Sequence, residues 1–412
     1  MSNNVLSIRN YIYEKANQTF KMAHFTDKER QDIINAAKMK FLGDSRPLEQ
    51  VKTDIKKFLF AFADVTVDYK RVENDKYDLI SFDKASKKVV TNVRMESTGL
   101  KTEQGYPIPD RVNVCFDGIN TTIGYAKDSS YKDVSINFDD VEIINNWVGK
   151  YIGLDMAQEY RVYHKGIKHS LLTMSVETPT RKFKKFHAIL NSLNSRIFDT
   201  PWYKRFMAIK ERQVTLVDDN HIYKKVARVY EDYVATIGLG VHIFDTVVDT
   251  LINANVSEED IEAQKTKFRV DYCSMLLFDC IINQCDRNME NWGYIFDSEK
   301  MAFMLAPIFN NYYVTNGILS SGDHSSLFIG QHDLMDLNGV FVDRSNVLDV
   351  LFHDYYEYII DIVEHIVKNA EDIKTKYLVM CVKNNCPKWL PKLFNFNIDK
   401  VVDKYNHRKD LI

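Results

Sequence analysis

No charge of one sign dominates this 412-residue chain: 54 lysines and arginines stand against 57 aspartates and glutamates, a formal net charge of -3. That balance excludes a global pull toward nucleic acid or acidic membrane surfaces, and no specific nucleic-acid partner is expected. A cysteine framework is also lacking. Of Cys115, Cys273, Cys280, Cys285, Cys381 and Cys386, no two form a C-x-x-C pair. Cys381 and Cys386 flank VKNN without matched histidines, which argues against zinc and for free thiols in a reducing compartment. No apolar run reaches the length of a membrane span. The opening MSNNVLSIRNYIYEKANQTF has no basic flank leading into an apolar core, so no signal peptide is expected. The expected location is the cytoplasm, or a host cell reached by a secretion route that needs no such signal. Neither G-x-G-x-x-G nor G-x-x-x-x-G-K-[ST] occurs, so no glycine-rich phosphate loop is marked.

What is present is an ordinary globular composition, 45% apolar and 27% charged, in a chain long enough for two or three packed units. The first 64 residues read as helical. A Thr26–Glu29 capping box precedes Ile33, Ile34, Ala37 and Phe41 at helical spacing. Ser45 and Pro47 open a second helix with Leu48, Val51, Ile55, Phe58, Leu59 and Phe62 on one face. From about 65 to 135, five short runs rich in β-branched and aromatic residues alternate with turn clusters, the pattern of strands. NFDDVEIINNWVGKYIGL reads as a helix capped at Asn137 or Asp139 and stopped by Gly153. AQEYRVYHKG and HSLLTMSVET read as a hairpin. After Pro179 the pattern turns helical, with a long helix from Ser257 through FRVDYCSMLLFDCIINQ and another from Ser345 to about Lys368. RKFKKFH (181–187), basic and interleaved with Phe, suits a phosphate-rich partner but reads first as a solvated helix face covering apolar surface. The layout is α+β: a helical N-terminal extension (1–64), a small strand-rich lobe (65–177) and a large helical lobe (178–412).

The chemistry concentrates in NQCDRNMENWGYIFDSEKMAFMLAPIFNNYY, residues 283–313. Phosphoryl transfer needs a carboxylate near the acceptor hydroxyl, a metal-binding amide, a second metal-binding carboxylate and a lysine on the phosphates. In protein kinases the first two are Asp and Asn spaced by five, as Asp286 and Asn291 are here.

The stretch FDCIINQCDRNMENWGYIFD resembles the catalytic loop of HipA-like kinases, in which an apolar helix leads into N-x-x-D-R/D-H-x-x-N-x-G. Asn283, Asp286, Arg287, Asn291 and Gly293 fall on family positions, and Asn288 stands where the family usually has His. The family's A-P-x-F/Y-D segment is written LAPIFNN here, which places Asn310 where the family has a magnesium-binding Asp. The resemblance implies a bilobal protein-kinase-like fold. It also implies ATP with Mg²⁺ or Mn²⁺ as cofactors, and a protein substrate accepting phosphate on Ser or Thr, such as a tRNA synthetase or another host or bacterial factor. Asp286, Arg287 and Asn291 would be catalytic, and Asn291 with Asn310 would hold metal. Lys127, at the end of a strand, and Glu142, early in the following helix, stand where the family places its phosphate-contacting lysine and that lysine's partner. Ser175 to Glu177 lies where a hinge would present backbone to adenine, and Gly118 and Gly124 are the glycines nearest the lysine strand.

Asparagine at 310 keeps the shape of aspartate without its charge, and a neutral amide is a weaker ligand for a hard divalent cation. Three accounts stay open: a natural pseudokinase, an engineered inactive variant, or replacement of the missing oxygen by Asn311 or Asp323. Two further readings stand beside the protein kinase. One is a non-catalytic nucleotide-binding interaction module. The other is a phosphoinositide kinase: the type II phosphatidylinositol 4-kinases also write D-R-x-x-x-N-W, matched by Asp286, Arg287, Asn291 and Trp292. The absence of a palmitoylation stretch or basic amphipathic helix weighs against the latter.

Overall fold

A computed structural model describes residues 3–20, 27–42, 44, 46–64, 77–80, 93–95, 110–115, 121–128, 138–164, 167–214, 229–284, 286–311, 334–384, 386 and 388–410. Thr26, Ser45, Gly118, Asn137 and Asp323 lie outside them, as does the side chain of Lys127. The chain divides into two compact units: Met1–Val148 with Glu159–Thr173 and Asn369–Lys392, and Gly149–Gln158 with Met174–Lys368 and Leu393–Ile412.

In the first unit, α1 (Asn3–Phe20), α2 (Asp27–Phe41) and α3 (Leu48–Asp64) bury one apolar stripe each. Ile8, Ile12, Ile34, Ala37, Val51, Ile55 and Leu59 interlock there, with Val379 packed among them. This is the amphipathic spacing read from the sequence, closed into a common core. The same unit holds β1 (Tyr77–Ile80), β2 (Val93–Met95), β3 (Asp110–Cys115), β4 (Thr121–Asp128), β5 (Glu159–His164) and β6 (Ile167–Met174). They form one six-stranded sheet in the order β1-β5-β6-β4-β3-β2, with β3–β4 and β5–β6 as antiparallel pairs. Helix α4 (Phe138–Tyr151) lies between β4 and β5 in sequence and buries Val141, Ile144 and Val148. It stops at Gly153, whose φ of 94° suits glycine.

The second unit begins its regular structure with β7 (Arg181–Lys185), α5 (Phe186–Ile197), α6 (Pro201–Val214) and α7 (Tyr230–Val248). Helix α8 (Glu258–Ile282) follows, then β8 (Asp286–Arg287), β9 (Gly293–Asp297), β10 (Ala302–Leu305), β11 (Leu334–Leu337), β12 (Val340–Asp343) and α9 (Arg344–Asp354). α10 (Tyr356–Lys383) and α11 (Trp389–Asp410) each contribute to both units. Strands β10-β9-β7 and β12-β11-β8 make two three-stranded sheets.

α8 starts as its sequence dictates. The Ser257 Oγ accepts the N–H of Asp260, and Glu258, Glu259 and Asp260 place negative charge at the helix's positive end. Its second half, Tyr272 to Ile282, is buried all round. Phe268 stacks on Phe244 with ring centres 3.9 Å apart, and Tyr294 meets both edge-on.

Three expectations change. RKFKKFH forms no continuous helix: Arg181–Lys185 pair with β9, and Phe183 faces Phe309 while Lys182 and Lys184 face solvent, a period of two. The Ser345–Lys368 helix is two helices broken at Tyr355, whose backbone (φ -123°, ψ 16°) leaves the helical region, and Arg408 Nη1 donates to the Phe352 carbonyl beside the break. And one segment, Tyr230–Ala254, is long and apolar enough by length and composition to cross a membrane, although most of it is buried within the unit.

Gly293 marks a close backbone approach. A Cβ there would lie 2.2 Å from the Lys184 carbonyl oxygen of the paired strand. Gly293→Ala is therefore expected to destabilise the protein by about 1–3 kcal/mol, read from urea unfolding midpoints. An unchanged midpoint would mean that the β7–β9 pairing is looser than described.

Candidate active site

The loop after α8 is fixed from below by helix-end chemistry. Asn283 adopts φ 61°, a left-handed conformation that asparagine tolerates, and ends the helix. Side chains cover the carbonyls here: Asn397 Nδ2 donates to Ile281 O at the helix end, and the buried Arg344 donates to the carbonyl of Gln284, just beyond it.

Asp279, inside α8, and Arg287, on β8, are both fully buried and form a two-pronged ion pair: Nε to Oδ2 at 2.9 Å and Nη2 to Oδ1 at 2.8 Å. Burial pushes the Asp279 carboxyl up, and Arg287 followed by Arg344 pull it back. The remaining donors of Arg287 reach the Asn291 carbonyl (2.9 Å), the Phe309 carbonyl (2.9 Å) and Asn311 Oδ1 (3.0 Å). A guanidinium has five N–H groups, and here each has an acceptor. Gln284 makes a parallel link: its Nε2 donates to Asn310 O and its Oε1 accepts the Asp286 N–H. One cation and one amide thus tie the 286–291 loop to the 309–311 segment.

Asp286 is half-buried and held by two asparagines. Asn291 Nδ2 donates to its Oδ2 (2.9 Å) and to its main-chain oxygen (2.9 Å), and Asn288 Nδ2 donates to Oδ1. The carboxylate dictates which way the Asn291 amide faces, and its Oδ1 points to no donor among the described residues. Asn310, next along, adopts φ 60°, where asparagine is among the least strained non-glycine residues. Asp286 and Asn291 bring a carboxylate and an amide oxygen together here, and Asn310 follows on the segment that Arg287 and Gln284 tie to them. They fit a hard divalent cation in kind, and the amide at 310 offers it less charge than a carboxylate would.

Two of the other sequence-derived candidates belong to the first unit. Lys127 is on β4, in the first unit. Glu142, on α4 of that unit, is buried and is not the solvated helix residue that its sequence would also allow. In the second unit, Ser175 Oγ accepts the Glu177 N–H (3.2 Å), and Glu177 Oε1 accepts the Phe183 N–H (3.2 Å). The Glu177 amide is therefore already engaged. Trp292 is buried and stacked on Phe186 at 4.2 Å, a core role.

Two residues were missed. β11 pairs in parallel with β8, matching Asp336 to Asp286 and Leu337 to Arg287. Partners in such a ladder share a face, so Arg287 and Leu337 enter the core while the two carboxylates sit together on the other side. Burial, and then the Asp286 charge, push Asp336 up to about 6, although Gly339 N–H and Lys210 pull it down. The second is Asn338, fully buried at the β11–β12 turn. Its Oδ1 accepts Trp292 Nε1–H (3.1 Å), its Nδ2 reaches the Tyr272 hydroxyl (3.3 Å) and the Thr236 carbonyl (3.3 Å), and its N–H bonds Arg287 O (3.3 Å). The Asn338–Gly339 dipeptide between apolar runs was the available signal for this hairpin.

No family model matches the chain, and no curated protein matches it. Among solved structures it is similar to the proinflammatory kinase CtkA of Helicobacter pylori, at 14% identity and a TM-score of 0.39 over 76% of this chain and 92% of that one. It is similar also to a CtTel1 dimer of C2 symmetry, at 10% identity and a TM-score of 0.40 over 92% of this chain and 15% of that one. The FAT and kinase domain of CtTel1 gives 11% identity and a TM-score of 0.38 over 92% of this chain and 28% of that one. Backbone agreement this loose does not assign the chain to a family.

Two outcomes follow from this geometry. Asp279→Asn and Arg287→Lys are each expected to cost about 3–5 kcal/mol in urea unfolding, because each leaves a buried group without its partner. Asp336 carries a folded-state pKa above its unfolded value, so its stabilising contribution is present below pH 4 and lost as pH rises through about 6. Asp336→Asn, which keeps the acceptor for Gly339 N–H, should match the parent near pH 4 and exceed it by about 1–3 kcal/mol above pH 7. A pH-independent difference would contradict the burial of the Asp336 carboxyl beside Asp286.

Proposed function

We propose that the protein is an ATP-dependent, HipA-like phosphotransferase acting on a Ser or Thr hydroxyl of a protein substrate. The observation that carries this reading is the Arg287 guanidinium, which holds the Asp286–Asn291 loop against the Phe309–Asn311 segment. These are the two stretches that phosphoryl transfer needs side by side. In this reading Asp286 orients the acceptor hydroxyl and takes its proton as the oxygen attacks the terminal phosphorus and the bond to the departing nucleoside diphosphate breaks. Asn288 and Asn291 aim the Asp286 carboxylate by holding both of its oxygens. Asn291 Oδ1 and the Asn310 side chain would hold Mg²⁺ or Mn²⁺, whose charge would offset that of the phosphates. Arg287 works from behind, without touching substrate. Lys127 and Glu142 are assigned to the phosphates, and the Ser175–Glu177 backbone to the base, from sequence pattern alone. The cytoplasm or the interior of a host cell would supply the nucleotide.

Asn310 supports a second reading, a pseudokinase that binds nucleotide without turnover. The neutral amide weakens metal binding, while φ 60° gives asparagine a backbone reason to be there.

Labelling with [γ-³²P]ATP in Mg²⁺ or Mn²⁺ separates the readings. The parent chain should transfer phosphate slowly, Asn310→Asp should transfer it at least tenfold faster, and Asp286→Ala should fall about 10²–10⁴-fold below the parent. Nucleotide binding without labelling in the parent and in Asn310→Asp would favour the pseudokinase. Absence of both binding and labelling in all three would remove the phosphotransferase reading.

A further inference from the structure

The second unit contains a cleft of about 910 Å³ that the phosphotransfer reading does not use. One wall is a single stripe of α8, from Asp260 and Gln264 through Lys267 and Asp271 to Ser274, at helical spacing. The other is α10, through Tyr358, Asp361, Ile362 and His365. The floor is apolar: Leu305, Ala306 and Ile308, with Ile152 beside them. A volume of this size, apolar with a few convergent polar groups, is that of a small-molecule site.

Three polar groups in it are poorly served by the protein. Ser274 is 5% exposed, lines the cleft, and pairs its hydroxyl with no group among the described residues. Helical hydroxyls ordinarily bond back to the preceding turn, as Thr236, Thr246 and Thr250 do in this same unit. Ser274 does not. Asp271 is half-buried, with one oxygen on Lys267 Nζ and no donor to the other among the described residues. Asp155, exposed to solvent, offers its carboxylate at the edge of the cleft from the loop after α4. Burial raises the Asp271 carboxyl, and partial desolvation followed by the Asp271 charge raises that of the exposed Asp155. The cleft's charges are Asp155, Asp260, Asp271 and Asp361 against Lys267 and Lys300.

We propose that this cleft binds a small organic cation, a protonated amine on an apolar or aromatic body. The ammonium sits between the Asp155 and Asp271 carboxylates and donates to Ser274 Oγ, and the apolar body lies on Leu305, Ala306 and Ile308. Such a ligand supplies what the site lacks, positive charge and a donor, and covers the apolar floor. The site stands apart from the phosphotransferase reading and does not depend on it.

The test uses two probes of similar size and opposite charge, 2-phenylethylammonium and phenylacetate, titrated into the full chain by calorimetry. The ammonium should bind saturably and at least tenfold more tightly than the carboxylate. Asp155→Asn and Asp271→Asn should each weaken it about tenfold, the loss expected for one charge-assisted hydrogen bond. Ser274→Ala should weaken it about threefold. Saturating ammonium should also slow amide exchange across residues 305–308 in the unaltered chain. If Asp271→Asn fails to fold, the Asp155→Asn result and the exchange measurement decide. Equal binding of the two probes, no saturable binding of the ammonium, or affinity unchanged in Asp155→Asn would overturn the proposal.

Discussion

The contact between Asp279 and Arg287 governs the rest of the candidate site. Two opposite charges with no exposure to water lose several kcal/mol of hydration each, and their mutual attraction offsets that only if every remaining hydrogen-bonding position is filled. Here the remaining positions are filled by the backbone and side chains of the two loops that the chemistry needs. The guanidinium is satisfied only when Asn291, Phe309 and Asn311 are in place. Loop order and charge burial are therefore one requirement, and Lys could not meet it, having three donors around a point charge and no planar fork.

That coupling explains why residues with no chemistry of their own gather behind Asp286. Gln284 repeats the link with an amide, Arg344 closes the end of α8, and Asn338 pins Trp292 and the Arg287 carbonyl. Each satisfies a buried group that water would otherwise serve. The result is a shelf carrying Asp286 and Asn291, with the side-chain amides of Asn288 and Asn291 on the Asp286 carboxylate and Asp336 adding a second carboxylate from the neighbouring strand. At position 310 the centre carries an amide where the pattern its sequence resembles has a carboxylate.

Much of this was legible in the chain. The capping chemistry at Ser257 and the apolar spacing of the first three helices follow from local rules, and so do the strand runs between 77 and 128; of the first expected run, 62–64 end α3 and 65–72 lie outside the described residues. The Asp286–Asn291 spacing was readable because the reaction restricts both residue type and distance. Asp279 was harder: it stands within MLLFDCII, and an acid in a buried helix signals a partner without naming it. Asp336 was invisible, because a parallel pairing across 50 residues leaves no periodic trace. RKFKKFH misled for a related reason: alternating basic and aromatic residues suit a helix face or an edge strand, and only the neighbouring β9 decides.

The most direct measurement of the central claim is site-resolved amide exchange in Arg287→Lys, run under conditions where the variant remains folded. If one guanidinium holds both loops, protection must fall together across residues 286–292 and 305–311 while α5 and α6 keep theirs. Loss confined to one of the two stretches, or protection unchanged in both, would contradict the account.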